Sequence, residues 1–146
     1  MDQRLADELK AAQIARDSLR TQVLKSLKTS LQYETINAKT DLDNQQQLQV
    51  VQREIKKRRE AVEMYDKAGR NEQAAQEKQE INVLSEFLPK QLSEDELATH
   101  TQSAITQTSA SSMADMGKVM AIVKPQVVGR ADPKKVAQTV KDLLSA

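Results

Sequence analysis

The side chains with chemistry to offer in this chain are cationic, and the densest set stands among its rarest residues. Lys118, Lys124, Arg130, Lys134 and Lys135 are interleaved with Gly117, Pro125, Gly129 and Pro133, in a chain of 146 residues that holds only three glycines and three prolines. Glycine and proline set backbone geometries closed to other residues, and ammonium and guanidinium groups bind phosphate and carboxylate. This pattern supports a shaped cationic surface for an anionic partner. Arg53, Lys56 and Lys57 form a second set, at i, i+3, i+4 on one helix face. They read either as a phosphate-facing stripe or, more simply, as a solvated face with Glu60 and Glu63 supplying ion pairs.

Other chemistries lack their residues. There is no cysteine, so no thiolate nucleophile, disulfide or cysteine-ligated zinc, and His100 is the only histidine. No Walker loop, dinucleotide fingerprint or nucleophile elbow occurs. The carboxylate clusters Glu94-Asp95-Glu96 and Glu77 with Glu80 read as helix starts or ion pairs, with no nucleophile beside them. The expectation is therefore no catalytic residue, no metal site and no cofactor. The three aromatics, Tyr33, Tyr65 and Phe87, are too few for a stacked base-binding platform. Met64, Met113, Met116 and Met120 read as core filling. The net charge of +1 divides into +3 over residues 1–70, −5 over 71–112 and +3 over 113–146, which permits nucleic-acid contact without requiring it. No apolar run reaches the roughly 18 residues of a membrane span. Met1-Asp2-Gln3-Arg4 has no signal-peptide layout, so a cytoplasmic protein without membrane partners is expected.

The elements that must carry these residues are helices. Leu5, Leu9 and Ala12 recur at helical spacing, as do Leu19, Val23, Leu24, Leu27 and Leu31. Leu48, Val51, Ile55, Val62 and Tyr65 make a third stripe, with Arg58 and Arg59 where its middle apolar residue would fall; Ile81, Leu84 and Leu88 make a fourth. No segment has the alternation of a strand, so the chain is all-α. Residues 37–44 are a turn-rich break, Gly69 suits a left-handed helix end, and Leu88-Pro89 ends the fourth helix. Ser93 with Glu96 forms a capping box for a fifth helix that turns Leu97, Thr101 and Ile105 inward.

A sixth helix starts near Ser112 or Asp115 and buries Met116, Val119, Met120, Val123 and Val127, with Pro125 bending or shortening it. Gly129 closes it. Asp132 then caps a seventh helix with Pro133 at its first position and Val136, Val140 and Leu143 inward. The chain thus divides into an N-terminal bundle or set of hairpins of about four helices, 1–89, and a small three-helix subdomain, 90–146. The turn between the last two helices would gather Lys118, Lys124, Arg130, Lys134 and Lys135. Asp132 already occupies the positive end of the seventh helix, so phosphate would have to meet side chains there. Gly117 lies one turn into a helix, where it costs about 1 kcal/mol against alanine. Either close packing or the backbone approach of a partner would need it, and packing motif and binding surface stand side by side.

At these residues the chain resembles the YqeY-like family, which is related to the C-terminal tail domain of the B subunit (GatB) of the tRNA-dependent amidotransferase. The matching residues are Met116-Gly117-Lys118-Val119-Met120, Gly129-Arg130-Ala131-Asp132, Val136 through Leu143-Leu144, Leu88-Pro89-Lys90-Gln91-Leu92 and the Arg16–Leu31 helix. The resemblance implies a helical bundle joined to a three-helix tail that contacts tRNA, with Lys118, Arg130, Lys134 and Lys135 as contacts. It also implies an aminoacyl-tRNA synthetase or amidotransferase subunit as an alternative partner, for a protein acting as an adaptor. A third implication is a carbon–nitrogen ligase activity with glutamine as amido donor, for which these residues supply no catalyst.

Overall fold

A computed structural model describes residues 1–146 and is all-α. Its helices are α1 (Asp2–Ile14), α2 (Ser18–Ala38), α3 (Asn44–Lys67), α4 (Asn71–Ser85), α5 (Glu94–Thr108), α6 (Met116–Val127) and α7 (Pro133–Ser145), with one 3-10 turn, Met113–Asp115, before α6. The chain forms two compact units, Met1–Leu88 and Pro89–Ala146. No helix is long and apolar enough to cross a membrane.

In the first unit α1 packs on α2, α2 on both α3 and α4, and α3 and α4 form the longest pairing. Leu5, Val23, Leu24, Leu27, Val51, Ile55, Leu84 and Phe87 are buried together. Local chemistry sets the helix starts. The Asp17 carboxylate accepts from the Arg20 amide at 3.0 Å, and Asp43 and Gln46 form a reciprocal capping box at α3. Arg16, expected inside a helix, is instead left-handed (φ 57) and breaks α1 from α2; its amide and that of Asp17 satisfy the carbonyls of Gln13 and Ala12. Gly69 is left-handed (φ 72) just past α3, as its position predicts. α4 ends at Ser85 rather than at Leu88, because the amides of Glu86, Phe87 and Leu88 bond three residues back instead of four.

Arg20 ties this unit together, donating to Glu8 of α1 at 2.7 Å and to Glu86 after α4 at 2.6 Å. Those bonds, Glu86 first and Glu8 second, raise its pKa further above its ordinary range. Arg4 adds a bond to the Glu86 carbonyl and lies 4.7 Å from the centre of the Phe87 ring. Beyond Ile55 the α3 stripe weakens, with Val62 and Tyr65 only half-buried. Arg58, at the missing apolar position, is largely buried beside Glu54, at 3.0 Å, and Glu80, at 3.9 Å.

The second unit has its own core of Leu97, Ala104, Val119, Val123, Val127, Val136, Val140 and Leu144. The Ser93–Glu96 capping box forms, and Thr101 is buried with its hydroxyl donating to the Leu97 carbonyl at 2.9 Å. Ala104 takes the inward place expected for Ile105, which is half-buried, and Leu144 replaces Leu143 because Val136, Val140 and Leu144 keep a strict four-residue step. Met116 and Met120 are likewise half-buried and Met113 is 41% exposed, so these methionines edge the core instead of filling it. Met64 is 71% exposed. α6 runs on through Pro125 and stops two residues later, at Val127.

Candidate functional site

The α6–α7 turn is where the cationic side chains and the backbone chemistry meet. Val127 ends α6 by accepting from the Arg130 amide at 2.8 Å and the Ala131 amide at 3.2 Å. Gly129 between them is buried and left-handed (φ 75), a conformation that costs other residues roughly 1–2 kcal/mol. Asp132 then caps α7, accepting from the Lys134 amide at 3.0 Å, with Pro133 at the first helical position. The anion place at this helix end is therefore filled by the protein's own carboxylate.

The segment before α5 pins the turn. Gln91 donates its side-chain amide to the carbonyls of Gly129, at 2.7 Å, and Pro89, at 2.9 Å. The Leu92 amide donates to the Arg130 carbonyl at 2.8 Å, and Arg130 Nε returns a bond to the Lys90 carbonyl at 3.4 Å. Two sequence signatures about forty residues apart are thus one structural unit. Gln91 is the residue that reading the sequence passed over. It was visible only as part of a motif, since its partner lies 38 residues away.

The turn gathers some of the expected cations and not others. Lys124, at the last turn of α6, and Lys134, at the first turn of α7, are exposed and make no ion pair. Arg130 is half-buried, and its bond to Lys90 uses one of five guanidinium donors. Lys135 is 3.3 Å from Glu94 and so partly neutralised. Lys118 does not join them. It sits at the other end of α6, about 14 Å along the axis from Val127 at 1.5 Å per residue, and lies 3.8 Å from Asp115. Asp115 is held below its ordinary pKa, chiefly by the Ser111 amide. Glu96 is likewise held low, first by the Ser93 hydroxyl and then by the Ser93 amide, with Lys90 and Arg130 adding to this through space.

Gly117 has no packing duty. A methyl group built on it would meet nothing within 4 Å, and its backbone is not left-handed. The close-packing reading is therefore withdrawn, and the exposed glycine stands open on α6. His100 is half-buried, with Nδ1 3.2 Å from the Gln126 side-chain oxygen. No group of three or more histidine or acidic side chains is arranged to hold a metal ion.

The second cationic set is arranged differently from the expectation. Arg53 pairs with Glu34 of α2 at 3.0 Å and Lys57 with Glu54 at 3.4 Å, so the partners are these two and not Glu60 and Glu63. Lys56 is exposed. Beneath this face lies a charged seam. Glu54 is 7% exposed and accepts from Ser30, Lys57 and Arg58. Burial pushes its pKa up, but the bonds from Arg58 and Ser30 and the nearby cationic charge outweigh this and leave it lowered. Burial and the neighbouring Glu77 push Glu80 the other way, upward, against the attraction of Arg58.

Seven helices without a strand, and a left-handed glycine turn pinned by the segment before α5, define a small all-helical protein. The family model described as Yqey-like protein matches residues 2–144, and the chain belongs to that family. Comparison with the curated proteins gives no match.

Proposed function

We propose that this protein is a cytoplasmic, non-catalytic tRNA-binding accessory of translation, with Met1–Leu88 as a helical bundle and Pro89–Ala146 as a tail of the amidotransferase type. The observation that carries the reading is the pinned α6–α7 turn, which holds Arg130 between two exposed lysines without ion pairs, Lys124 and Lys134. A fixed backbone lowers the ordering cost of binding an anionic partner. Lys118 and Lys135 make weaker contacts in this reading, because each already has a carboxylate neighbour. The test is a tRNA mobility shift across a salt series, comparing wild type with a Lys124→Ala, Arg130→Ala, Lys134→Ala triple variant. Wild type binds at low salt, and the variant binds more weakly with a salt slope shallower by about 3, one per lost phosphate contact. Absence of any shift, or equal binding by the variant, defeats the proposal.

A second reading rests on Met113, the one large apolar side chain of the tail unit that is exposed. It makes the tail an adaptor that docks on a synthetase or amidotransferase subunit through the flexible methionines at the start of α6. Pull-down of such a subunit that survives nuclease, and is lost in Met113→Glu, selects this reading. Carbon–nitrogen ligase activity rests on the family resemblance alone. Failure of the protein to support transamidation beside a complementing amidase removes it.

A further inference from the structure

We infer that the outward face of α2, in the first unit, is a separate RNA-contacting surface, in which Lys25 and Lys28 bind phosphates and Tyr33 stacks on an unpaired base. The inference takes its ligand class from the tRNA reading above but uses different residues.

The face is defined by helical spacing. Thr21, Lys25, Lys28 and Gln32 fall at i, i+4, i+7 and i+11 on one stripe. Tyr33 is off that stripe, at i+8 from Lys25, about 80° round the helix and about 12 Å along it, so the ring and the lysines flank the solvent side of α2. Lys25, Lys28, Gln32 and Tyr33 are all exposed, and Tyr33 is 63% so. Both lysines lack an ion pair. The other charges of α2 are spent elsewhere, since Arg20 is held by Glu8 and Glu86, and Glu34, the only acidic residue of the helix, is held by Arg53. The face is therefore cationic and free of carboxylates along its own helix.

Its surroundings extend the donors. Lys25 shares an open cleft with Arg16, Ser18 and Thr21 at the α1–α2 turn, and with Asp17, whose carboxylate caps α2 through the Arg20 amide. Lys28 and Gln32 line a second cleft, which also contains Asp2 and Asp41, neither of them within ion-pair distance of Lys28. Lysines alone would suit any polyanion. The single exposed phenol ring is no multi-base platform, but one ring suffices to stack one unpaired base, and this argues for RNA.

The experiment measures fluorescence anisotropy of a labelled tRNA transcript and of a labelled unstructured 12-nucleotide RNA against the full chain. Wild type is compared with a Lys25→Glu, Lys28→Glu double variant, with Tyr33→Ala and Tyr33→Phe, and with the tail triple variant. These α2 residues are exposed, so unchanged thermal melting is expected and is checked by circular dichroism. The double variant is expected to lose at least tenfold in affinity for both RNAs, with a salt slope shallower by about 1 to 2. Tyr33→Ala is expected to lose about fivefold or more on the unstructured RNA, and Tyr33→Phe to bind as wild type.

Double-variant affinity within twofold of wild type, with an unchanged slope, overturns the inference. If the tail variant is weakened in that same experiment, the tRNA reading survives without this surface. If only the α2 variants are weakened, this surface stands and the tail site falls. Failure of wild type to bind either RNA overturns both. Co-sedimentation with phosphatidylserine vesicles that is lost in the double variant, with RNA binding intact, assigns the face to anionic lipid and also overturns the inference.

Discussion

Gly117 and Arg58 show at the residue scale how a side chain's identity and its environment part company. Glycine in a helix forfeits backbone entropy, and here no neighbour needs the missing methyl. Gly117→Ala is therefore expected to stabilise the tail unit by about 0.5–1 kcal/mol in urea unfolding. If the proposed tRNA contact extends to this backbone, the same variant weakens tRNA binding while melting at higher temperature. Arg58 is the opposite case. It occupies an apolar position, its Nε is buried without a hydrogen-bond partner, and it offsets the buried charge of Glu54. Arg58→Ala leaves the buried Glu54 carboxylate with only Ser30 and the exposed Lys57 as partners and is expected to cost about 3 kcal/mol, whereas a joint Glu54→Met, Arg58→Met change costs far less. Chemical denaturation of the three proteins checks this, and an equal loss in the single and double variants contradicts it.

Between elements, the contacts that matter are those joining segments distant in sequence. Gln91 meets the carbonyl of Gly129 across 38 residues and holds the α6–α7 turn against the start of α5. Gln91→Ala leaves that buried turn short of a donor, and the expected cost is about 1–3 kcal/mol. Hydrogen exchange should show the loss as faster opening of the amides around Arg130 and Ala131. Gly129→Ala strains the left-handed position and is expected to cost a further 1–2 kcal/mol or so. The starts of α5 and α7 were legible in the sequence because Ser93 with Glu96 and Asp132 with Pro133 act within a few residues of themselves. Asp43 and Gln46 cap α3 in the same local way, within and just after a stretch that reads only as a turn-rich break. The α1–α2 break at Arg16 was not legible. A left-handed arginine carries no compositional mark, and Asp17 caps the next helix without a glutamate or glutamine to complete a box.

For the whole molecule, the charged seam under α3 sets an acid response. Glu54 has a folded-state pKa below the ordinary 4.5, so its contribution is present above that value and is lost as pH falls through the lowered one. Glu80 has a folded-state pKa above 4.5, so the fold takes up that proton before the unfolded chain does. Its effect is a gain in stability as pH falls from the raised value to 4.5. Thermal melting is therefore expected to rise slightly on mild acidification before dropping below pH 4.5, and Glu80→Gln is expected to remove the rise. A melting curve that only falls from neutrality downward contradicts this assignment.

The sequence by itself determined that the chain is helical, where α5 and α7 begin, that glycine sits where α3 and α6 end, and which family its motifs resemble. Those properties depend on neighbours within about four residues, so they survive in a linear reading. The tertiary structure alone decided which cations remain without a partner. Lys118 and Lys135 share a chain segment with Lys124 and Lys134, yet Asp115 and Glu94 stand beside the first two and no carboxylate pairs with the others. It also decided that Arg58 is buried, that Leu144 packs in place of Leu143, and that Gly117 packs against nothing. Burial and pairing depend on what another helix brings to the same place, and the spacing of residues along one helix does not encode that.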